Sequence, residues 1–419
     1  MFKSFKELIF LTILVLLAGS AWANIYVVDN TGDVDDGQLY TEGDGTNTLR
    51  KCIRLANLGD PDEIRFDIPT DDPGFNGVWW TIQPGVVTGV ALPRIIDDET
   101  VIDGYTQPGA LTATDVDPAE IKIELDGTHA GSRTGDDRAH YWKSSGIRIN
   151  NENATAYNTV IKGLCINRFA DAGVVFDGWG DLEGSAVVGC HIGTNVPGDS
   201  ALGNHRSGVA RNGCNWPITI GGYSPEDRNV ISGNWDENIH FRVADNENNI
   251  IVGNYIGTDA TGMTALTPNG TNDHASDGIR LVASLEGPTT CKILNNVISG
   301  NPRCAIFAVF DGTGWVNRCQ ISGNYIGLAS NGNDPLPNGK GIAFKGAVVE
   351  FNTIESNHIH NNSGWAIGFH EGTHDNIVRY NSIADNHGGV VIVGDATDRN
   401  TISRNSMWLN DVLGIDIND

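Results

Sequence analysis

The stretch NTIESNHIHNN (Asn352–Asn362) recurs twice toward the end of the chain, as NIVRYNSIADN (Asn376–Asn386) and NTISRNSMWLN (Asn400–Asn410). Each copy begins 24 residues after the one before, and each has asparagine at its first, sixth and eleventh positions. Between the asparagines, apolar residues alternate with polar ones in short segments. A period of two residues is typical of β-strands and argues against an amphipathic helix.

Earlier parts of the chain repeat the same pattern with insertions, as NVISGN (Asn229–Asn234 and Asn296–Asn301) and NYIG (Asn254–Gly257 and Asn324–Gly327). Several short strands per unit do not fit a helical hairpin repeat. A leucine-rich-repeat horseshoe is also disfavoured, because its L-x-x-L-x-L strand and helical return segment are absent. We therefore predict an all-β solenoid, a parallel β-helix in which each strand pairs with the coils above and below it.

Asparagine is expected at the corners of this solenoid for two reasons. It tolerates left-handed backbone geometry, and its amide can bond to the same amide one coil away. One asparagine per coil should therefore form a column, consisting of Asn229, Asn254, Asn296, Asn324, Asn357, Asn381 and Asn405. Cys291 and Cys319 occupy a second column position, filled by asparagine in other coils, and should be neighbours on adjacent coils. An absent or strained disulfide is expected there, because stacked positions aim their Cβ atoms alike.

Residues 1–23 have the pattern of a cleaved signal peptide, with Lys3 and Lys6 before an apolar run and a small-x-small site at Ala21–Ala23. Residues 24–139 are predicted to form an N-terminal cap and irregular first coils, and residues 140–419 the repeat coils of the same elongated domain. Within the cap, Leu49, Cys52, Ile53 and Ala56 recur at helical spacing. A short helix there would cover the open strand edges of the first coil.

The charge of the chain restricts its partners. Without Lys3, Lys6 and Glu7 of the signal segment, the formal charge of −25 becomes −26. Such a chain repels phosphate backbones, so no nucleic-acid partner is predicted. No segment after the signal peptide is apolar enough to span a membrane. The acidity is compatible with weak calcium binding but does not require it, and no cofactor is predicted.

The repeats also carry a family resemblance. NVISGN and GNYIGTD (Gly253–Asp259) resemble the units of large secreted right-handed β-helix repeat proteins of bacteria, within the pectate-lyase-like superfamily. TLRKCIRLAN (Thr48–Asn57) is similar to the S-L-R-E-A-I-x-x-A-N segment of that family, and VIDGYTQP (Val101–Pro108) follows in the expected order. The resemblance implies a right-handed parallel β-helix and a secreted or cell-surface location. It transfers no catalytic residues, because most members have no assigned activity.

One cluster of titratable residues is a candidate catalytic site, formed by Asp273, His274, Asp277 and Arg280. β-Helix lyases and hydrolases place such residues along one face for calcium binding or acid–base chemistry. However, the N-T-D, D-D, G-H-G and R-x-K set of polygalacturonases is absent, and Asp277-Gly278 is also a simple turn before a strand. Catalysis at this cluster is therefore the alternative hypothesis.

Three tryptophans at predicted coil ends, Trp179, Trp235 and Trp315, are candidate carbohydrate contacts, because flat aromatic rings stack on the apolar faces of sugars. Turn tryptophans also commonly shield a neighbouring corner. The segment HEGTH (His370–His374) matches the H-E-x-x-H pattern of zinc metalloproteases, which requires a helix. It lies in a predicted turn, so no metal site is predicted at this motif.

The preferred function is a non-catalytic secreted or cell-surface protein for adhesion, matrix or carbohydrate contact, with a polysaccharide or surface glycan as partner. A polysaccharide lyase or glycoside hydrolase is the alternative, and the fold alone does not separate the two. The last unit ends without a capping segment, so we also expect the chain to continue in a longer reading frame or to pair with another molecule.

Overall fold

A computed structural model describes residues 23–418, apart from residues 60, 133–142, 150–155, 179–181, 214–215, 244–245, 269–276, 284–287, 311 and 313. The strands form three sheets in which every pairing between named strands is parallel, so the chain winds as a right-handed parallel β-helix. The predicted signal peptide lies outside the described residues, apart from Ala23. No helix in the described ranges is long and apolar enough to cross a membrane.

Each coil contributes one strand to each of the three sheets over most of the molecule. Along its length, sheet A contains Asn24–Val28, Asp62–Phe66, Val101–Asp103, Val160–Lys162, Ala186–Val188, Thr219–Gly221, Asn246–Val252, Pro288–Leu294, Gln320–Ser322, Thr353–Glu355, Ile377–Arg379 and Thr401–Ser403, with Trp315–Asn317 and Val349–Glu350 paired beside this path. Sheet B contains Trp80–Ile82, Ile123–Asp126, Leu164–Asn167, His191–Ile192, Val230–Ile231, Tyr255–Ile256, Val297–Ile298, Tyr325–Ile326, His358–His360, Ser382–Ala384 and Ser406–Trp408. Sheet C contains Ile147–Ile149, Val174–Asp177, Val209–Asn212, Ile239–Val243, Ile279–Ala283, Cys304–Phe310, Lys340–Lys345, Trp365–His370, Gly388–Val393 and Ile415–Asn418.

The core consists of columns of inward-facing side chains. In sheet A the register places Ile251, Ile293, Ile321, Ile354 and Val378 above one another, and none of them is exposed. Their polar neighbours in sequence face outward, because successive side chains of a strand point to opposite faces. The alternation in the sequence therefore gives a dry interior along the axis of the solenoid.

The predicted asparagine column is confirmed. It runs along the corner between sheets A and B, and each amide Nδ2 donates to Oδ1 of the next asparagine at 2.9–3.0 Å, from Asn229 to Asn405. Two further ladders at the other corners join Asn352 to Asn400 and Asn301 to Asn410. These amides bond to one another and to strand carbonyls, so buried polar side chains tie neighbouring coils together.

At these corners the residue before the asparagine adopts the left-handed backbone conformation, and the asparagine itself does not. The prediction that asparagine is used here for its tolerance of left-handed geometry is therefore wrong. Gly323, Ser356, Tyr380 and Arg404 have φ between 56° and 70° and precede Asn324, Asn357, Asn381 and Asn405. Glycine suits this position sterically, whereas the other three residues adopt a conformation that side chains disfavour. The asparagines themselves supply the amide ladder.

The two cysteines lie where the repeat predicts. Cys291 pairs in register with Asn249, and the next coil places Cys319 beside Cys291. Cys319 N donates to Asn352 Oδ1 at 2.9 Å, so the asparagine ladder continues directly from the cysteine. Both thiols are buried, and neither forms a disulfide. Burial raises the pKa of Cys319 to about 12, which keeps it as a neutral thiol.

The cap helix is confirmed at Leu49–Ala56, with the side chain of Thr48 accepting a hydrogen bond from Lys51 N at its start. Its apolar residues pack into the core as expected. The basic face is covered too, which the helical pattern did not indicate. Arg50 is 8% exposed and pairs with Asp33 at 2.7 Å, and Lys51 is fully buried with Asp36 at 3.3 Å, because the segment 29–48 folds over the helix.

Candidate functional site

The outer face of sheet C carries charged and aromatic side chains on three successive coils. The register aligns His240, Arg280 and Phe307 in one outward column. Their neighbours Ile239, Ile279 and Ile306 point inward and are fully buried. Because successive side chains of a strand point to opposite faces, His240, Arg280 and Phe307 all point outward from sheet C.

Two carboxylates lie just before these strands. Glu237 and Asp277 each precede a strand of sheet C by two residues, so they occupy equivalent positions on neighbouring coils. Glu237 contacts His240 Nδ1 at 3.0 Å and accepts a hydrogen bond from Arg280 at 3.1 Å. Asp277 accepts hydrogen bonds from Arg303 at 3.0 Å and from the backbone N–H of Cys304 at 3.1 Å. The acids thus hold both arginines in place.

The two guanidinium groups converge on one aromatic ring. The Cζ atoms of Arg303 and Arg280 lie 4.6 and 5.4 Å from the ring centre of Phe307. Such contacts are favourable because the electron-rich face of an aromatic ring attracts a cation. We call the set Glu237, His240, Asp277, Arg280, Arg303 and Phe307 the sheet C patch.

The environment separates the pKa values of the two acids. Burial raises the pKa of Asp277 to about 6, with the charge of Glu237 adding to the effect and Arg303 opposing it. For Glu237 burial acts in the same upward direction, but His240 and Arg280 outweigh it and lower the pKa to about 2. Near pH 6, Glu237 is therefore ionised while Asp277 is close to half protonated.

The structure brings together only part of the predicted cluster. Asp277 and Arg280 belong to the sheet C patch, whereas Asp273 and His274 lie outside the described residues. Glu237, His240 and Arg303 come from the coils on either side and were missed, because they are 23 to 43 residues from Asp277 and Arg280 in sequence. Aligning Asn238-Ile239 with Gly278-Ile279 would have placed Glu237 beside Asp277.

The candidate tryptophans occupy different surroundings. Trp235 stacks on His205 of the preceding coil, with ring centres 4.4 Å apart and planes inclined by 10°. It therefore covers the turn that precedes sheet C. Trp315 is 40% exposed and begins a strand that pairs with sheet A, while Trp179 lies outside the described residues. Trp235 and Trp315 thus do not form one row, and carbohydrate contact at either remains a prediction.

The H-E-x-x-H segment is not helical. His370 ends a strand of sheet C, and Glu371 and Gly372 have φ of 53° and 86°. His374 instead pairs across coils with Glu350, at the entrance to sheet A. His370 therefore lies in sheet C and His374 at the entrance to sheet A. This segment lacks the helix that places both histidines of a zinc metalloprotease on one face. Ligand-type atoms of Glu350, His374 and Asp375 lie within 4.8 Å of one another.

A separate concave site of about 700 Å³ lies beside the first coils of sheet B. Its wall is largely apolar and includes Val78, Trp79, Leu111, Ile121 and Val196. The indole N–H of Trp79 donates to the buried Glu124 at 3.3 Å, which orients the ring. The loop 112–118 contributes to this wall and is held by an antiparallel bridge between Leu111 and Glu120.

Comparison with known proteins supports the fold. The family described as "Right handed beta helix region" matches residues 278–419. The Dettilon tailspike protein has a similar structure, with a TM-score of 0.52 at 15% identity, over 94% of this chain and 64% of the tailspike. This chain thus spans less than two thirds of the length of that protein. At this identity the likeness shows the fold alone.

Two further solved structures are more distant. The A-module of an Azotobacter vinelandii mannuronan C-5 epimerase matches at 12% identity and a TM-score of 0.45, over 93% of this chain and 97% of the module. A surface protein and adhesin of Streptococcus pneumoniae matches at 12% identity and a TM-score of 0.30, over 93% and 98%. No curated protein sequence matches the chain.

Proposed function

We propose that the protein is an exported, non-catalytic β-helix that binds a polysaccharide against the sheet C patch. Export rests on the signal-like segment at residues 1–23. The binding site rests on one observation, the pair of guanidinium groups fixed against Phe307 by two buried carboxylates. Planar donors held in one geometry lose little side-chain entropy when they bind hydroxyl or carboxylate oxygens.

The charges of the sheet C patch indicate which glycans it suits. The positive charges of Arg280 and Arg303 are offset by Glu237 and, above about pH 6, by Asp277. The surrounding chain is strongly acidic. A dense polyanion would therefore be repelled, so a neutral or sparsely anionic polysaccharide is the expected ligand.

Apolar side chains pack beside the arginines. Cys304, Phe307 and Ala343 form a small buried cluster, at 3%, 7% and 5% exposure, with the half-buried Val309 packed against it. Pyranose rings present apolar C–H faces together with hydroxyl edges. The half-buried Val309 offers apolar surface for such a face next to the fixed donors.

Glycan cleavage is the second candidate, favoured by the stacked acids with separated pKa values. A carboxylic acid and a carboxylate side by side are the groups that glycoside hydrolysis uses. However, Glu237 is 9% exposed and Asp277 is not exposed at all. The arginines would have to move before a sugar reached either acid, so binding fits the arrangement better.

The test is a glycan array with the mature chain, followed by reducing-end and unsaturated-product assays on every glycan bound. We expect binding to neutral or sparsely anionic glycans without product formation. Product that disappears in Glu237→Gln would replace the binding proposal with the enzyme. Binding that is lost in Trp79→Ala but kept in Arg280→Gln would move the site to the concave region beside sheet B.

A further inference from the structure

A second group of side chains forms a potential metal site at the corner leading into sheet A, away from the sheet C patch. Glu350 and His374 face each other on successive coils through a parallel β-bridge, and Asp375 follows His374 directly. His374 Nδ1 lies 2.8 Å from Asp375 Oδ2 and 3.6 Å from Glu350 Oε2. All three side chains are between buried and exposed, so an ion can reach them.

The separations suit a small divalent ion. Ligands 2.0–2.2 Å from a tetrahedral zinc ion lie about 3.3–3.6 Å from one another. The ligand atoms of Glu350, His374 and Asp375 all lie within 4.8 Å of one another, at most about 1.2 Å beyond that spacing. One imidazole nitrogen with two carboxylate oxygens favours a borderline ion such as zinc, whereas calcium requires six to eight oxygen ligands.

The positively charged side chain of Arg399 already lies against this cluster. Arg399, from the next coil, donates through Nε and Nη2 to the carboxylate of Asp375 at 3.0 and 2.9 Å. Its Nη2 also lies 3.3 Å from His374 Nδ1. Nδ1 of His374 is therefore shared between the carboxylate of Asp375 and the guanidinium group of Arg399.

Arg399 can move away from Asp375 and still keep an ion pair with Asp398. Its side chain is 58% exposed, and its Nη1 also pairs with Asp398 at 3.0 Å. A divalent ion would replace one positive charge by two beside Glu350 and Asp375, and Arg399 would keep its contact with Asp398. The exchange therefore neutralises more of the negative charge of Glu350 and Asp375.

We propose that Glu350, His374 and Asp375 bind a zinc-like divalent ion, with Arg399 as the group that the ion displaces. The site uses only the second histidine of the H-E-x-x-H segment and takes a ligand from the neighbouring coil. Sequence spacing did not reveal it, because Glu350 is 24 residues from His374. A bound ion would cross-link two coils at this corner.

The proposal is tested by calorimetric titration of the chelator-treated mature chain with zinc chloride. We expect the wild type to bind one equivalent of zinc. The affinity should fall at least about tenfold in His374→Gln, which lacks a ligand. It should rise about tenfold in Arg399→Gln, which lacks the competing cation. His387→Gln is the matched control, since His387 is half-exposed near Asp411 and outside the cluster. Wild-type protein without saturable binding, or equal affinity in the two histidine variants, would overturn the proposal.

X-ray absorption at the zinc edge provides a second measurement that does not depend on the variants. The expected shell contains nitrogen and oxygen only. A sulfur shell would assign the ion to cysteines and would also reject the proposed site. Thermal unfolding of chelator-treated His374→Gln and wild-type protein should coincide, which separates loss of the ligand from loss of the fold.

Discussion

At each corner of the solenoid, an asparagine and the residue before it have separate roles. The preceding residue turns the chain with a positive φ, and the asparagine bonds to the coils on both sides. Asn324 shows the full set. It donates to Asn357 Oδ1 and to the carbonyls of Ile293 and Ser322, and it accepts from Asn296. A buried amide that joins three coils in this way is satisfied at every atom.

Asn324→Ala should lower the free energy of unfolding by about 2–4 kcal/mol, because it leaves buried partners on two neighbouring coils without hydrogen bonds. Denaturant unfolding followed by circular dichroism measures the change. Asn333→Ala is the control, since Asn333 is exposed and its side chain donates to the backbone carbonyl of Asn331 in an exposed loop. Its effect should stay within about 0.5 kcal/mol. Equal effects of the two substitutions would show that the ladder does not stabilise the fold.

Asp277 should make stability depend on pH. Its pKa is raised to about 6 in the folded protein, from an ordinary value of 3.8. The folded state therefore binds the proton more tightly, and the stability of wild-type protein relative to Asp277→Asn should fall as the pH rises from 4 to 7. The change should be at most about 3 kcal/mol, since one pKa unit corresponds to about 1.4 kcal/mol. Unfolding curves at pH 4, 5, 6 and 7 measure it, and a constant difference would mean that Asp277 titrates normally.

Among the elements, the cap helix shows what an amphipathic pattern reveals and what it leaves out. The spacing of Leu49, Cys52, Ile53 and Ala56 correctly predicted a helix that packs on the first coil. It did not reveal that Arg50 would be buried. That burial depends on the segment 29–48, which has no periodic pattern, and on backbone carbonyls at residues 90 and 91 that bond to the guanidinium group. Contacts of this kind follow from tertiary structure and not from spacing.

Arg50→Met should destabilise the protein by about 3–5 kcal/mol, because Asp33 would keep a buried charge without its cation. Arg65→Met is the matched control. Arg65 lies on sheet A, its side chain is 42% exposed, and it pairs with Glu63, so its loss should cost less than about 1 kcal/mol. Thermal unfolding of both variants gives the comparison. A small effect of Arg50→Met would show that the cap is held by its apolar face alone.

Over the whole molecule, the 24-residue period was enough to predict a parallel β-helix, and the register of the asparagine column was correct. The sheet C patch was only half found, because it combines residues from coils separated by insertions of different lengths. Glu237 and Asp277 are 40 residues apart in sequence although their coils are adjacent. A repeat shows that coils stack, but the outward side chains that meet across them depend on how each insertion leaves and rejoins the stack.

The proposal of a glycan-binding face is tested most directly by isothermal titration of the mature chain with an oligosaccharide selected on the array. The proposal predicts that Arg280→Gln/Arg303→Gln weakens binding by at least about 100-fold, since each lost charge-assisted hydrogen bond is worth about 1.5–3 kcal/mol. Arg65→Gln, on sheet A, should bind as tightly as the wild type. An unchanged affinity in the double variant, with its fold intact by circular dichroism, would contradict the proposal that this face of the solenoid holds the glycan.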